Sequence, residues 1–149
     1  EKLKILTRDF VNDSYTFDQM ACSSPRLIVW LGKDNETNLA KDIFWKNVEK
    51  HLNNINHKFE EGDSFNKCLA SNSLAIELSS VKIIDNDPRF TRVQINKPFI
   101  YDENVYGSGL FLELSIKDLK TISKIIDRSI QTVSYFALDN NLFISYIKD

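Results

Sequence analysis

Leu27-Ile28-Val29-Trp30-Leu31 is an uninterrupted apolar run closed by Gly32. A run this short, bounded by a turn residue, predicts a strand covered on both faces of a sheet. The next residues narrow the fold further. Positions 34–37 offer several capping oxygens, and Leu39, Ala40, Ile43, Phe44, Val48 and Leu52 then recur at helical spacing to about Ile55. A buried strand feeding directly into a long amphipathic helix is an α/β signature.

The rest of the chain continues this alternation. Leu3, Leu6, Phe10 and Val11 predict a helix over 3–11 that stops at Asn12-Asp13-Ser14. A second helix is expected over 64–76, burying Phe65, Cys68, Leu69, Leu74 and Ala75. Segments 81–84 and 90–95 read as strands that can pair antiparallel across Asp85-Asn86-Asp87-Pro88. Gly107 and Gly109 bracket the start of a strand over 110–114. Segment 116–130 is helical in period, 132–136 is strand-like, and 142–147 suits either state. With no repeat and no linker, the 149 residues read as a single α/β sandwich domain spanning 1–149.

Composition excludes several functions. Nineteen Lys and Arg residues against 21 Asp and Glu leave a net charge of -2, which disfavours a phosphate-backbone binder, so no nucleic-acid partner is expected. No apolar stretch approaches the roughly 20 residues that span a bilayer. Two cysteines without CxxC pairing and without a signal-like amino end suit a reducing cytoplasm. The chain opens on Glu1 rather than Met, so it is expected to be a piece of a longer protein.

One segment has the composition of a catalytic turn: Phe17-Asp18-Gln19-Met20-Ala21-Cys22-Ser23-Ser24-Pro25-Arg26, joining the first helix to the apolar strand. Pro25 and two serines favour a tight turn there, on which backbone N–H groups can converge to stabilise an oxyanion. A thiol nucleophile needs a base or a lowered pKa, and Arg26 is the one cation nearby. A cysteine at this place equally suits a small buried hydrophobe, and spacing does not choose between the two. Other candidates read as structure. Cys68 falls on its helix's apolar stripe and is expected in the core. His51 and His57, six apart on one helix, point about 600° round from one another and make no metal pair. Asp85 and Asp87 serve a solvated turn before Pro88, and Asp102-Glu103 likewise read as solvated rather than as a cation site. Trp30, Phe44 and Trp45 read as core anchors, and Lys46, Lys50 and Lys58 as a helix's wet side.

The cysteine segment resembles the nucleophile segment of the aldehyde dehydrogenase superfamily, and within it the LuxC-type acyl-CoA reductases, whose members read similarly as DQxxCSSP followed by an apolar strand. Phe44-Trp45, Gly107-Ser108-Gly109 and Gln131-Thr132-Val133 fall in that family's order. The likeness runs from Phe17 to about Phe136. It implies an aldehyde-dehydrogenase-like catalytic domain, a three-layer α/β/α sandwich with a mostly parallel or mixed sheet. It implies Cys22 as the nucleophile that takes the acyl group from an acyl-CoA or acyl thioester. Gln19 and Arg26 would position the loop, and NADPH would supply the hydride that releases an aldehyde.

Two departures shape what is carried over. The superfamily's dinucleotide-binding domain lies mainly ahead of the nucleophile, whereas 21 residues precede Cys22 here. The ExFGP motif is replaced by Gly107-Ser108-Gly109, flanked by Glu103 and Glu113 without a match. No cofactor-binding residue is therefore assigned, no metal is expected, and NADPH would be held mostly by an upstream domain of a two-domain enzyme. The isolated domain would fold without turning over. A homo-oligomer or acyl-transferring partner subunits are compatible with this reading. A cysteine acyltransferase or thioesterase, and a non-catalytic α/β interaction domain, are the alternatives.

Overall fold

The computed structural model describes residues 1–58, 60–78, 81–97, 107–124, 126, 128 and 130–147. In chain order they form α1 (Lys2–Tyr15), β1 (Leu27–Leu31), α2 (Asp34–Asn54), α3 (Glu61–Leu78), β2 (Val81–Asp87), β3 (Phe90–Ile95), β4 (Leu110–Ile116), a 3-10 turn (Leu119–Lys124) and α4 (Asn140–Ile147). This is an α/β protein with four α-helices among the described residues and a four-stranded mixed sheet. The strand order is β1-β4-β3-β2, with β1–β4 and β4–β3 parallel and β3–β2 antiparallel.

The pleat divides the core in two. Leu110, Leu112, Leu114 and Ile116 of β4 join Val93 and Ile95 of β3 and meet Ala70 and Leu74 of α3. On the opposite face, Phe111 and Phe90 meet Val11 of α1 and Phe44, Trp45, Val48 and Leu52 of α2. Phe10 seals the second cluster, its ring edge-on to Phe44 at 5.0 Å and to Trp45 at 5.9 Å. Trp30, Phe44 and Trp45 thus lie in or against this core, as their sequence context predicts.

Several expectations need correcting. The apolar run 27–31 is an edge strand of the described sheet, half-buried, while β4 is the strand enclosed on both faces. An apolar run reports apolar neighbours above and below, not which strand lies beside it. On α3 the buried residues are Lys67, Ala70, Ser71 and Leu74, whereas Phe65, Cys68, Leu69 and Ile76 are exposed, Ile76 to 84%. Small side chains at 70 and 71 let the helix backbone approach the sheet, so close approach outweighs the bulk of the other stripe. Thr37 and Lys41 are buried on α2, while Leu39 and Ile43 are exposed. The β2–β3 hairpin turns at Pro88-Arg89, because β2 continues through a register irregularity to Asp87. Beyond Ile116, which ends β4, the chain makes the 3-10 turn rather than a long helix, 132–136 is not a strand, and 142–147 belongs to α4.

A carboxylate lies inside this apolar frame. The Glu113 side chain is fully shielded from water, and its Oε1 accepts the indole N–H of Trp45 (2.6 Å) and of Trp30 (3.2 Å). Its Oε2 accepts Nη2 (2.9 Å) and Nε (3.2 Å) of Arg92. The Arg92 guanidinium also lies 5.0 Å from the Trp45 ring centroid, a cation–π contact. On the same face Lys41 donates to Ser115 Oγ at 2.8 Å, and burial pushes its ammonium pKa down despite the opposing pull of Glu113. Removing one partner of a buried ion pair costs about 3–5 kcal/mol because the other charge is left bare. Glu113→Ala should therefore destabilise the domain by about that amount, and Glu113→Gln by less, as measured by the urea midpoint with tryptophan fluorescence as the probe.

Candidate functional site

The segment from the end of α1 to β1 is built by local chemistry. Gln19 N–H reaches back to Ser14 O (2.6 Å), Met20 N–H donates to Phe17 O (2.8 Å), and Asp18 and Gln19 take left-handed conformations (φ 48° and 63°). Ala21, Cys22, Ser23 and Ser24 then make a turn closed by Ser24 N–H to Ala21 O at 3.0 Å. This is the tight turn that Pro25 and the serines predict. Ser24 Oγ donates to Asp13 O (2.7 Å), tying the turn to the last turn of α1.

Cys22 occupies the first central position of that turn and is exposed. Neither its N–H nor that of Ser23 donates to an acceptor among the described residues. Phe17 and Met20 are exposed on the same segment. Cys68, expected in the core, is also exposed, with Asn72 Nδ2 3.4 Å from its sulfur. Burial therefore does not separate the two thiols, and the correction follows from the rotated buried face of α3.

Gln19, expected to position the loop, is wholly buried and makes three side-chain hydrogen bonds. Its Nε2 donates to Pro25 O (2.8 Å) and Leu110 O (2.9 Å), and its Oε1 accepts Gly109 N–H (3.0 Å). One amide thereby joins the two sides of the cysteine turn to the start of β4. Arg26 contributes less: Nη2 is 3.4 Å from Gln19 O, and Nε is buried without a hydrogen-bond partner among the described residues. Gly107 lies against the same loop, where an added Cβ would come 2.7 Å from Asp18 O. The two segments quoted for the family resemblance, 17–26 and 107–109, are therefore neighbours in space.

Next to this contact is a polar pocket lined by Tyr15, Asp18, His57, Asp63, Lys67, Arg89 and Ser108. Its groups mainly hold one another. Ser108 Oγ donates to Asp63 Oδ1 (2.7 Å), Ser108 N–H donates to Asp18 O (3.0 Å), and Lys67 Nζ donates to Pro88 O (2.7 Å) and Ser108 O (3.0 Å). Tyr15 OH donates to Arg89 O at 3.2 Å, and burial, reinforced by the Asp87 charge, pushes its phenol far up. His57 lies beyond α2 rather than on it, its ring edge-on to Tyr15 at 4.8 Å, and burial lowers its pKa. Asp87 is buried rather than solvated, held by Arg89. Asp102 and Glu103 lie outside the described residues. Among the described residues no group of His, Cys, Asp and Glu is placed to hold a metal, and no helix is long and apolar enough to cross a membrane.

The turn that follows β1 is acidic. The β1–α2 connection is a parallel strand-to-helix turn of the kind that can face a pyrophosphate, but Asp34 and Glu36 occupy the first turn of α2. Glu36 Oε2 already accepts Lys33 N–H at 3.2 Å. Two carboxylates at a helix N-terminus occupy the positive potential that a phosphate would need. Comparison of the chain with protein-family models, with curated proteins and with solved structures finds no match.

Two features escaped the sequence reading. Lys67 is in phase with Ala70, Ser71 and Leu74, so a helical stripe scored for small residues as well as large ones would have placed it inside. Glu113 interrupts the apolar strand at a position shared with Phe111, which signals a carboxylate that must find buried partners.

Gln19→Leu should leave Gly109 N–H and two carbonyls without their partner, destabilising the domain by about 1–3 kcal/mol or more; urea unfolding measures this, and proteolysis at 17–26 should accelerate. Burial alone would raise the Asp87 carboxyl, but hydrogen bonds and charge from Arg89, with the Lys67 charge, hold it below its ordinary 3.8. A carboxyl depressed in the folded state stabilises above its unfolded value, and that contribution is lost as pH falls through the folded value. Asp87→Asn should therefore flatten the fall in stability below about pH 4, read from thermal melts across an acid series.

Proposed function

We propose that Cys22 is the acyl-accepting nucleophile of an acyl-CoA reductase resembling the LuxC type, and that this chain is its nucleophile-bearing, aldehyde-dehydrogenase-like domain, a three-layer α/β/α sandwich. The observation that carries the proposal is the exposed thiol at the head of a turn with two unclaimed N–H groups, held from beneath by Gln19. Helices on both faces of the sheet accord with it. So do Phe17 and Met20, whose exposed apolar side chains suit an acyl chain beside the sulfur.

The chemistry follows from the turn. The Cys22 thiolate attacks the thioester carbonyl carbon, a C–S bond forms, and the carbonyl electron pair moves to oxygen. The N–H groups of Cys22 and Ser23 stabilise that oxyanion; donors of this kind are worth about 2.7–4 kcal/mol each in a well-built site. The oxyanion collapses, the C–S bond to coenzyme A breaks, and the departing thiolate takes up the proton the Cys22 thiol released. The product is an acyl thioester on Cys22 and free coenzyme A. NADPH, which the resemblance implies, would be held by residues outside those described. A free thiol nucleophile suits a reducing cytoplasm.

A second reading is a cysteine acyltransferase or thioesterase, which shares the acylation step and needs no hydride donor; Asp34 and Glu36 in the first turn of α2, where a pyrophosphate would meet two carboxylates, favour it. A non-catalytic interaction domain would suit a Cys22 sealed in an apolar pocket, and its exposure does not support that reading.

Incubating the chain with an acyl-CoA and no NADPH should add one acyl mass, mapped to Cys22, that Cys68→Ser retains and Cys22→Ala abolishes. Cys22→Ser should slow acylation by about 100-fold or more, since an alkoxide is far harder to form than a thiolate. An adduct that persists in Cys22→Ala would overturn the assignment. Aldehyde formed on adding NADPH to the natural full-length protein would favour the reductase over the acyltransferase.

A further inference from the structure

We infer that Asp63 and Lys67 of α3 are positioning residues for the Cys22 turn, acting through Ser108; the inference deepens the reading of Cys22 as the acyl acceptor and rests on it. Asp63 and Lys67 are four residues apart and so share one helix face. They grip Ser108 from two sides: Asp63 Oδ1 accepts its hydroxyl at 2.7 Å, and Lys67 Nζ donates to its carbonyl at 3.0 Å. Lys67 also donates to Pro88 O, which ties the β2–β3 turn into the same point.

Ser108 and its neighbour pass the hold onward. Ser108 N–H donates to Asp18 O, and Gly109 N–H donates to Gln19 Oε1. Asp18, Gln19 and Ser108 all have positive φ, at 48°, 63° and 59°. Left-handed backbone at residues other than glycine persists where surrounding contacts over-determine it. Here those contacts are the hydrogen bonds between the two segments and the α3 pair behind them. Helix α3 is thus coupled, through Ser108 and the 18–19 backbone, to the direction in which the Cys22 and Ser23 N–H groups point. Misplacement on the scale of 1 Å is enough to cost a positioned reaction about 100-fold.

The test uses a Cys68→Ser background, so that mass reports Cys22 alone. Asp63→Ala, Lys67→Met and Ser108→Gly are compared with Asp63→Asn, which keeps an oxygen acceptor for the Ser108 hydroxyl, and with Ser73→Ala on the exposed side of α3. Two rates are measured on each folded variant: acylation of Cys22 by an activated acyl thioester, which needs aligned N–H donors, and alkylation by iodoacetamide, which does not. Amide exchange at Ser24 reports whether the turn is closed. The ratio of acylation to alkylation should fall about 10- to 100-fold in the first three variants, with faster Ser24 exchange, and stay within about threefold of the parent in Asp63→Asn and Ser73→Ala. Folded Asp63→Ala and Ser108→Gly proteins with lowered melting temperature but parental ratio and exchange would overturn the inference, leaving the pair a purely structural tie. If Lys67→Met does not fold, those two variants decide. If the parent is alkylated but never acylated, the thioester reading fails, and Ser24 exchange still decides whether α3 holds the turn.

Discussion

Glu113 is a charged group in the middle of the central strand, and burying a carboxylate there is tolerable because each oxygen has strong donors: two indole N–H groups on one and the Arg92 guanidinium on the other. Those donors come from β1, α2 and β3. Satisfying one carboxylate therefore brings the edge strand, the long helix and the neighbouring strand into a single arrangement around β4. An apolar residue at 113 would pack with many partners in many ways. A carboxylate accepts few, and this restricts how α2 can lie across the sheet. Lys41 reaching Ser115 adds a second polar point to the same face.

With β4 fixed, its N-terminal end becomes a firm anchor for the Cys22 turn. Gly109 and Leu110 offer a free N–H and a free carbonyl just before the strand enters the sheet, and Gln19 takes both. Gly107 allows the Asp18 carbonyl to come closer than any side chain would permit. The cysteine turn is consequently held by backbone groups of a rigid strand on one side and by α1, through Ser24 and Asp13, on the other. What this arrangement leaves open is the exposed Cys22 thiol, beside Cys22 and Ser23 N–H groups that donate to no acceptor among the described residues.

Much of this was legible locally. Helices α1 and α2, strand β1, the antiparallel β2–β3 pair and the turn at Cys22 follow from apolar period, capping oxygens and Pro25, features read within about a dozen residues. The turn chemistry of 17–26 and the glycines at 107 and 109 were also readable. Their contact was not: Gln19 and Gly109 are 90 positions apart, and no period in either segment says that one amide will serve both. The site is a long-range object, assembled from pieces that look unremarkable separately.

The amino-acid sequence alone determined the α/β class and the type and rough place of the elements up to β4, because backbone propensity and side-chain period act between near neighbours; the ends shifted, as where α1 runs through Asn12-Asp13-Ser14 to Tyr15. It also determined that a cysteine would sit on a turn ahead of an apolar strand. The tertiary structure alone decided the strand order that makes β4 central and β1 an edge, the buried face of α3, and the partners of Glu113. On α3 two apolar stripes compete, and the one with smaller residues wins because it brings the helix close enough to the sheet for Lys67 to reach the carbonyls of Pro88 and Ser108. Such choices turn on distance and partner availability across the fold, quantities that no local run of residues encodes.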